Sequence, residues 1–150
     1  MGLEHRYSKL LKGEDLLRQD DFQKGQLVLT GWRHGQEYGG HLGSCVVMSC
    51  LANRQKLGWG NWLDIIDNIP KYSATVEQPS GWPAVWEPNF TRLLHEVDAI
   101  YEGSQDYAKG AVYWFDSAKP VNNPWFQDKI LNNLQSHPKV GDMNSLMFFR

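Results

Sequence analysis

The sequence predicts a mostly α-helical chain with a small β element, an α+β fold in a single domain spanning residues 1–150. Three observations carry that expectation. LGSCVVMSCLANR, residues 42–54, is apolar around almost its whole circumference, as in a helix enclosed by other elements rather than lying on a surface. Phe90, Leu93, Leu94, Val97, Ile100 and Tyr101 recur at helical spacing. GAVYWF at 110–115 and LMFFR at 146–150 have the β-branched and aromatic character of short strands.

Taken in order, the first third pairs Leu10 with Leu11 and Leu16 with Leu17, then runs through Leu27, Val28, Leu29 and Trp32, with Gly13 and Gly25 as punctuation. Short helices are expected there. The enclosed helix at 42–54 follows. Asn61 is placed to cap a short helix through WLDIID, which Pro70 closes. Residues 71–89, KYSATVEQPSGWPAVWEPN, gather Pro, Gly, Ser and Trp and read as an irregular loop with aromatic anchors. Asn89 and Gly103 bracket the next helix as N-cap and stop. Asn123 and Pro124 supply an N-cap and an N1 proline for WFQDKILNNL, ended by SHP, and GDMNS leads by a turn into the last strand. No internal repeat or low-complexity tract interrupts the chain.

With 41% hydrophobic and 21% charged residues, 150 residues suffice for one buried core. The formal charge of -2 leaves no basic stripe to neutralise phosphates, so nucleic acid is not an expected partner. No apolar run reaches the length of a membrane span, and the start MGLEHRYSKLLKGED lacks the apolar core of a signal peptide. Synthesis in the cytoplasm, without a membrane partner, is the expectation. Cys45 and Cys50 lie in one apolar run and read as small buried hydrophobes rather than a disulfide framework. Seven Trp, six Tyr and six Phe are a large aromatic complement for this length. They suit either a core poor in long aliphatic runs or exposed platforms for flat amphipathic ligands such as sugar rings, with Trp82 and Trp86 the candidates for such platforms.

Residues 30–41 read TGWRHGQEYGGH, and the carboxylate Glu37 is their point of chemical interest. It stands where a helix end turns through Gly39 and Gly40 into the buried helix. A Glu partly buried beside Trp32 and Tyr38 would have its pKa raised, so that the acid form survives to protonate a leaving glycosidic oxygen. A carboxylate there can equally complement the positive N-terminus of the following helix. His34, Glu37 and His41 together invite a metal reading, but two histidines seven apart with glycines between them do not share a helix face as an H-E-x-x-H pair does. A cysteine nucleophile activated by His95 or His137 is disfavoured by the apolar setting of both cysteines. Asp64 with Asp67, and Glu96 with Asp98, have the polar spacing of solvated helix faces.

Several of these pieces, in this order, resemble the SleB-type cell-wall hydrolases, a lysozyme-like family of spore-cortex lytic enzymes and phage proteins. In that family a helix ends in a motif like Trp-Arg-Glu-Ala-Arg-Gly-Glu, followed by a glycine, an Ala/Val-rich helix and Asn-Arg. Here the corresponding residues are WRHGQEYGG and HLGSCVVMSCLANR. PKYSA stands for the family's Gln-Phe-Ser segment, AVYWFD at 111–116 for its Ala-Leu-Tyr-Phe-Tyr-Asn strand, and VGDMNSLMFFR more loosely for its last strand. The resemblance spans residues 26–150. Counting from Trp32, the family's catalytic Glu falls on His34, and Glu37 is the only carboxylate in the motif.

The resemblance implies a lysozyme-like fold and cleavage of peptidoglycan glycan strands between N-acetylmuramic acid and N-acetylglucosamine, by a lytic transglycosylase or a muramidase. It implies Glu37 as general acid and base, with His34 at the family's Glu position, and Tyr72, Ser73 and Tyr113 as substrate contacts, to which Tyr38 is added as the neighbour of Glu37 and Trp82 on composition alone. One carboxylate suffices for the transglycosylase route, because the acid that protonates the leaving oxygen then accepts the proton of the C6 hydroxyl as it closes the 1,6-anhydro ring. No cofactor is implied, a monomer is expected, and action on the wall would follow release by a phage or carriage in a virion. A non-catalytic glycan-binding or structural phage protein on the same scaffold is the alternative that His34 at the Glu position suggests, and a metal-dependent hydrolase is the second.

Overall fold

The computed structural model describes residues 19–35, 38, 40–74 and 88–150. These are about half helical and carry one small three-stranded antiparallel sheet, an α+β architecture. The expected segments around Leu10, Leu11, Leu16 and Leu17, and most of the loop at 71–89, lie outside the described residues.

Helix α1 (Gln19–Gly35) runs unbroken through Gly25, where the sequence suggested a boundary. Burial of Leu27, Val28 and Leu29 overrides the roughly 1 kcal/mol that a mid-helix glycine costs. Helix α2 (His41–Lys56) is the central element, buried at every position from Gly43 to Arg54. The two helices touch backbone to backbone. A Cβ at Gly43 would fall on the carbonyls of Gly35 and Tyr38, and one at Gly35 would fall on the Gly43 carbonyl. Glycine at both positions is therefore what permits the crossing.

Asn61 caps α3 (Trp62–Asp67) by accepting from the Asp64 amide at 2.9 Å. A 3₁₀ turn follows at Pro70–Tyr72. Helix α4 (Pro88–Glu102) buries Leu93, Val97 and Ile100 against α1 and α2, stacks Tyr101 on Trp62 at 4.8 Å, and stops at Gly103 with φ 85°. It begins one residue before the expected Asn89 cap, with proline in the first position.

The sheet order is β1 (Tyr113–Asp116), β3 (Leu146–Phe149), β2 (Lys139–Met143). The expected strand at 110–115 starts later because Lys109 and Gly110 both have positive φ and form a turn. Part of the segment read as a lead-in turn is strand β2, leaving a two-residue hairpin at Asn144 and Ser145. Register pairs Trp114 with Phe148 and Asp116 with Leu146 on one face, and Tyr113 with Phe149 and Phe115 with Met147 on the other. The first face joins the large core built on the helices. The second closes a smaller core with Phe126 and Ile130. Phe126 belongs to α5 (Pro124–Phe126) and Ile130 to the single π turn at Gln127–Leu131 that continues it, in place of the regular helix expected to Leu134. Asn123 caps it as expected, accepting from the Trp125 amide at 3.1 Å. Among the described residues no helix is long and apolar enough to cross a membrane.

Candidate functional site

Three separate parts of the chain meet at one cavity, closed by Leu146 of β3. The end of α1 contributes Arg33 and His34, and a turn closed by the Tyr38 amide on the Gly35 carbonyl at 3.0 Å brings in Tyr38, which is only 6% exposed. The segment after the 3₁₀ turn contributes Ser73 and Ala74. It is stitched to residues 122 and 123, since Asn123 Nδ2 donates to the Lys71 and Ser73 carbonyls at 3.1 and 2.9 Å and the Asn122 amide donates to the Ala74 carbonyl at 2.9 Å. Strand β1 contributes Trp114 and Asp116, which the period of two places on the same face. His34 meets Trp114 edge-on at 6.0 Å. The cavity has a volume of about 70 Å³.

Asp116 is the fixed carboxylate of this wall. Its Oδ2 accepts from the Tyr38 hydroxyl at 2.5 Å, its Oδ1 accepts from the Ala118 amide at 2.9 Å, and Lys119 Nζ stands 4.0 Å away. Burial pushes its pKa up, but the hydrogen bonds from Tyr38, Ser145 and Ala118, with the Lys119 charge, outweigh burial and hold the carboxyl below its ordinary value. The group is an anion at neutral pH, already engaged, and it orients Tyr38. Neither Asp116 nor Trp114 was singled out in the sequence, although the alternation in YWFD puts both on one face.

Beside the cavity lies an aromatic cage. The Arg54 guanidinium is 4.9 to 5.7 Å from the ring centres of Trp59, Tyr72, Tyr113 and Trp114, and its Nε donates to the Val112 carbonyl at 2.7 Å. Burial brings its pKa down to about 10, so the cation persists at neutral pH. Nη1 has no hydrogen-bond partner among the described residues, and the rings take the place of a counter-ion. Tyr72 and Tyr113, the implied substrate contacts, are placed here rather than in the cavity wall. Tyr113 is 6% exposed, on the opposite sheet face from Trp114, and meets His137 edge-on at 5.5 Å.

Of the other residues singled out in the sequence, Glu37, Trp82 and Trp86 lie outside the described residues. His41, on the first turn of α2, points to α4, with Nε2 3.6 Å from Glu96 and 3.8 Å from the Cys45 sulfur. His34 and His41 thus face different neighbours, and among the described residues no three His, Cys, Asp or Glu side chains gather into a metal-holding group. Cys45 and Cys50 are free and fully buried, and burial pushes both thiols up to about 12, the reverse of what a thiolate nucleophile needs. No family model, curated protein or solved structure matches this chain.

Proposed function

We propose that the chain is a lysozyme-like enzyme that cleaves peptidoglycan glycan strands, as a lytic transglycosylase or a muramidase, with Glu37 as general acid. The observation that supports this most is convergence. His34, Tyr38 and Ser73, singled out from motifs up to forty residues apart, line one cavity together with Trp114 and Asp116 of the YWFD strand. At about 70 Å³ the cavity is well below the roughly 300 Å³ at which enclosed ligand sites begin, so it suits a substituent of a sugar, such as a hydroxyl or acetamido group, and not a whole ring. Tyr38 and Asp116 would orient that group. Glu37, the residue before Tyr38 in the chain, would protonate the departing glycosidic oxygen and then take the C6 hydroxyl proton as the anhydro ring forms.

The test is mass spectrometry of soluble products from purified peptidoglycan, with Glu37→Gln as the control. Anhydro-muropeptides from the wild type alone are expected, and reducing-end products would indicate hydrolysis instead. Fragments released equally by Glu37→Gln would remove Glu37 from the acid role.

A second reading has its own observation. His34, which takes the position of the family's Glu, lines the cavity wall. A glycan-binding phage protein without catalysis would then co-sediment with peptidoglycan and release no fragment. In either reading the partner is the glycan strand, reached when a phage releases or carries the protein.

A further inference from the structure

Two hydroxyl-bearing residues, Ser73 and Tyr38, line the cavity, and a hydroxyl has a single hydrogen to give. Ser73 Oγ donates its hydrogen back to the Ile69 carbonyl at 2.6 Å, and the Tyr38 hydroxyl donates its own to Asp116 Oδ2. Neither bond can run the other way, because a carbonyl has no hydrogen to return and Asp116 is an anion at neutral pH. Both oxygens are left with lone pairs alone to offer a ligand. The carbonyls of the same wall are already engaged. That of Ser73 accepts from Asn123 Nδ2 at 2.9 Å, and that of Ala74 accepts from the Asn122 and Asn123 amides at 2.9 and 3.2 Å. We propose that the cavity selects a group that enters by an N–H or O–H hydrogen over one that can only accept, and that Ser73 is the residue that makes the selection.

Ser73 rather than Tyr38 carries the selection because it is the more accessible of the two. Tyr38 is 6% exposed and has further contacts of its own, whereas Ser73 is half-buried. Its orientation is fixed twice, by the back-bond to Ile69 and by the Asn123 amide that holds its carbonyl. A donor arriving there completes the oxygen's hydrogen bonding. A group that only accepts sets lone pairs against lone pairs and leaves the Ser73 oxygen desolvated without a donor, which is the situation in which a polar site discriminates most strongly. Ala74, Trp114 and Leu146, all buried, make the rest of the wall apolar, so the body that carries the hydrogen is a small apolar one. For sugars the inference rests on the glycan-strand reading and deepens it: the substituent seated here leads with its hydroxyl or amide hydrogen, not with a carbonyl or ether oxygen.

The experiment follows the indole N–H signal of Trp114 by NMR in the full chain, identified by its loss in Trp114→Phe, while three small probes of equal heavy-atom count are titrated. Acetamide and isopropanol donate a hydrogen and acetone only accepts. Acetone shares the carbonyl of acetamide, so contacts of that carbonyl with Arg33 or His34 cancel in the comparison. Acetamide and isopropanol should each bind about three- to tenfold more tightly than acetone, the worth of a hydrogen bond. Ser73→Ala should bring the three within about twofold of one another, and Ser73→Thr, which keeps the hydroxyl, should restore the preference. Acetone binding as well as acetamide to the wild type would overturn the selection. A preference that survives Ser73→Ala would overturn the assignment to Ser73. A Trp114 signal that responds to no probe would overturn the cavity as a ligand site. Because none of the probes is a glycan, each of these failures leaves the glycan reading to its own product assay.

Discussion

At the level of single residues, Asp116 and Arg54 show two ways of keeping a charge out of water. Asp116 is compensated by hydrogen bonds and Lys119, and its folded pKa lies below the unfolded one. A depressed carboxyl contributes stability that is complete above the unfolded value and disappears as pH falls through the folded one. Asp116→Asn should therefore lower stability by about 1.5–3 kcal/mol near neutrality, the range for a hydrogen bond to a charged group. Its melting temperature should converge with that of the wild type as the pH falls below the ordinary carboxylate range. Thermal melts across that interval check it, and a gap independent of pH would mean that Asp116 acts by shape alone. Arg54 is compensated by four rings and one carbonyl. Lysine keeps the charge but has no planar group to share among rings and is more strongly hydrated. Arg54→Lys should cost about 2 kcal/mol or more, read as a lower denaturant midpoint with an unchanged slope.

Among the elements, the crossing of α1 and α2 sets intrinsic propensity against packing. Alanine is the better helix former by about 1 kcal/mol, so an exposed Gly→Ala change would stabilise. At Gly43 the added methyl would meet the Gly35 and Tyr38 carbonyls, which are backbone and cannot rotate away. Gly43→Ala should destabilise by about 1–3 kcal/mol, the usual cost of overpacking, and unchanged or raised stability in urea unfolding would show that the helices can separate freely. The same contrast explains what could be read in advance. Helix α2 was legible because every face of it is apolar, and α4 because its burial repeats at helical spacing. Gly25 misled because burial of α1 is not visible locally. Strand β2, KVGDM, has no alternation to betray it and owes its existence to pairing with β3. Around the candidate cavity, His34 and Ser73 stood out through motif order and Tyr38 as the neighbour of Glu37, whereas Asp116 did not, because its hydrogen bond joins it to a tyrosine 78 residues away.

At the scale of the molecule, the site lies where the two cores meet. The sheet gives one face to the helical core and the other to the cluster around Phe126 and Ile130. The cavity takes Ser73 and Ala74 from a segment that is stitched to residues 122 and 123. A ligand seated there would tie together the end of α1, residues 73–74 and β1, three regions with no local reason to respond as one. Ligand that binds only the native state stabilises it by mass action, about 2.7 kcal/mol at a hundredfold excess over Kd. Local opening should be suppressed most where contacts are made. Hydrogen exchange of Glu37→Gln with and without purified glycan strands should then show added protection in residues 33–35, 73–74 and 113–116, with the exposed face of α3 unchanged. Protection confined to one of the three regions would mean that the ligand is not seated in the cavity they share, and this binding surface would have to be given up even if cleavage persists.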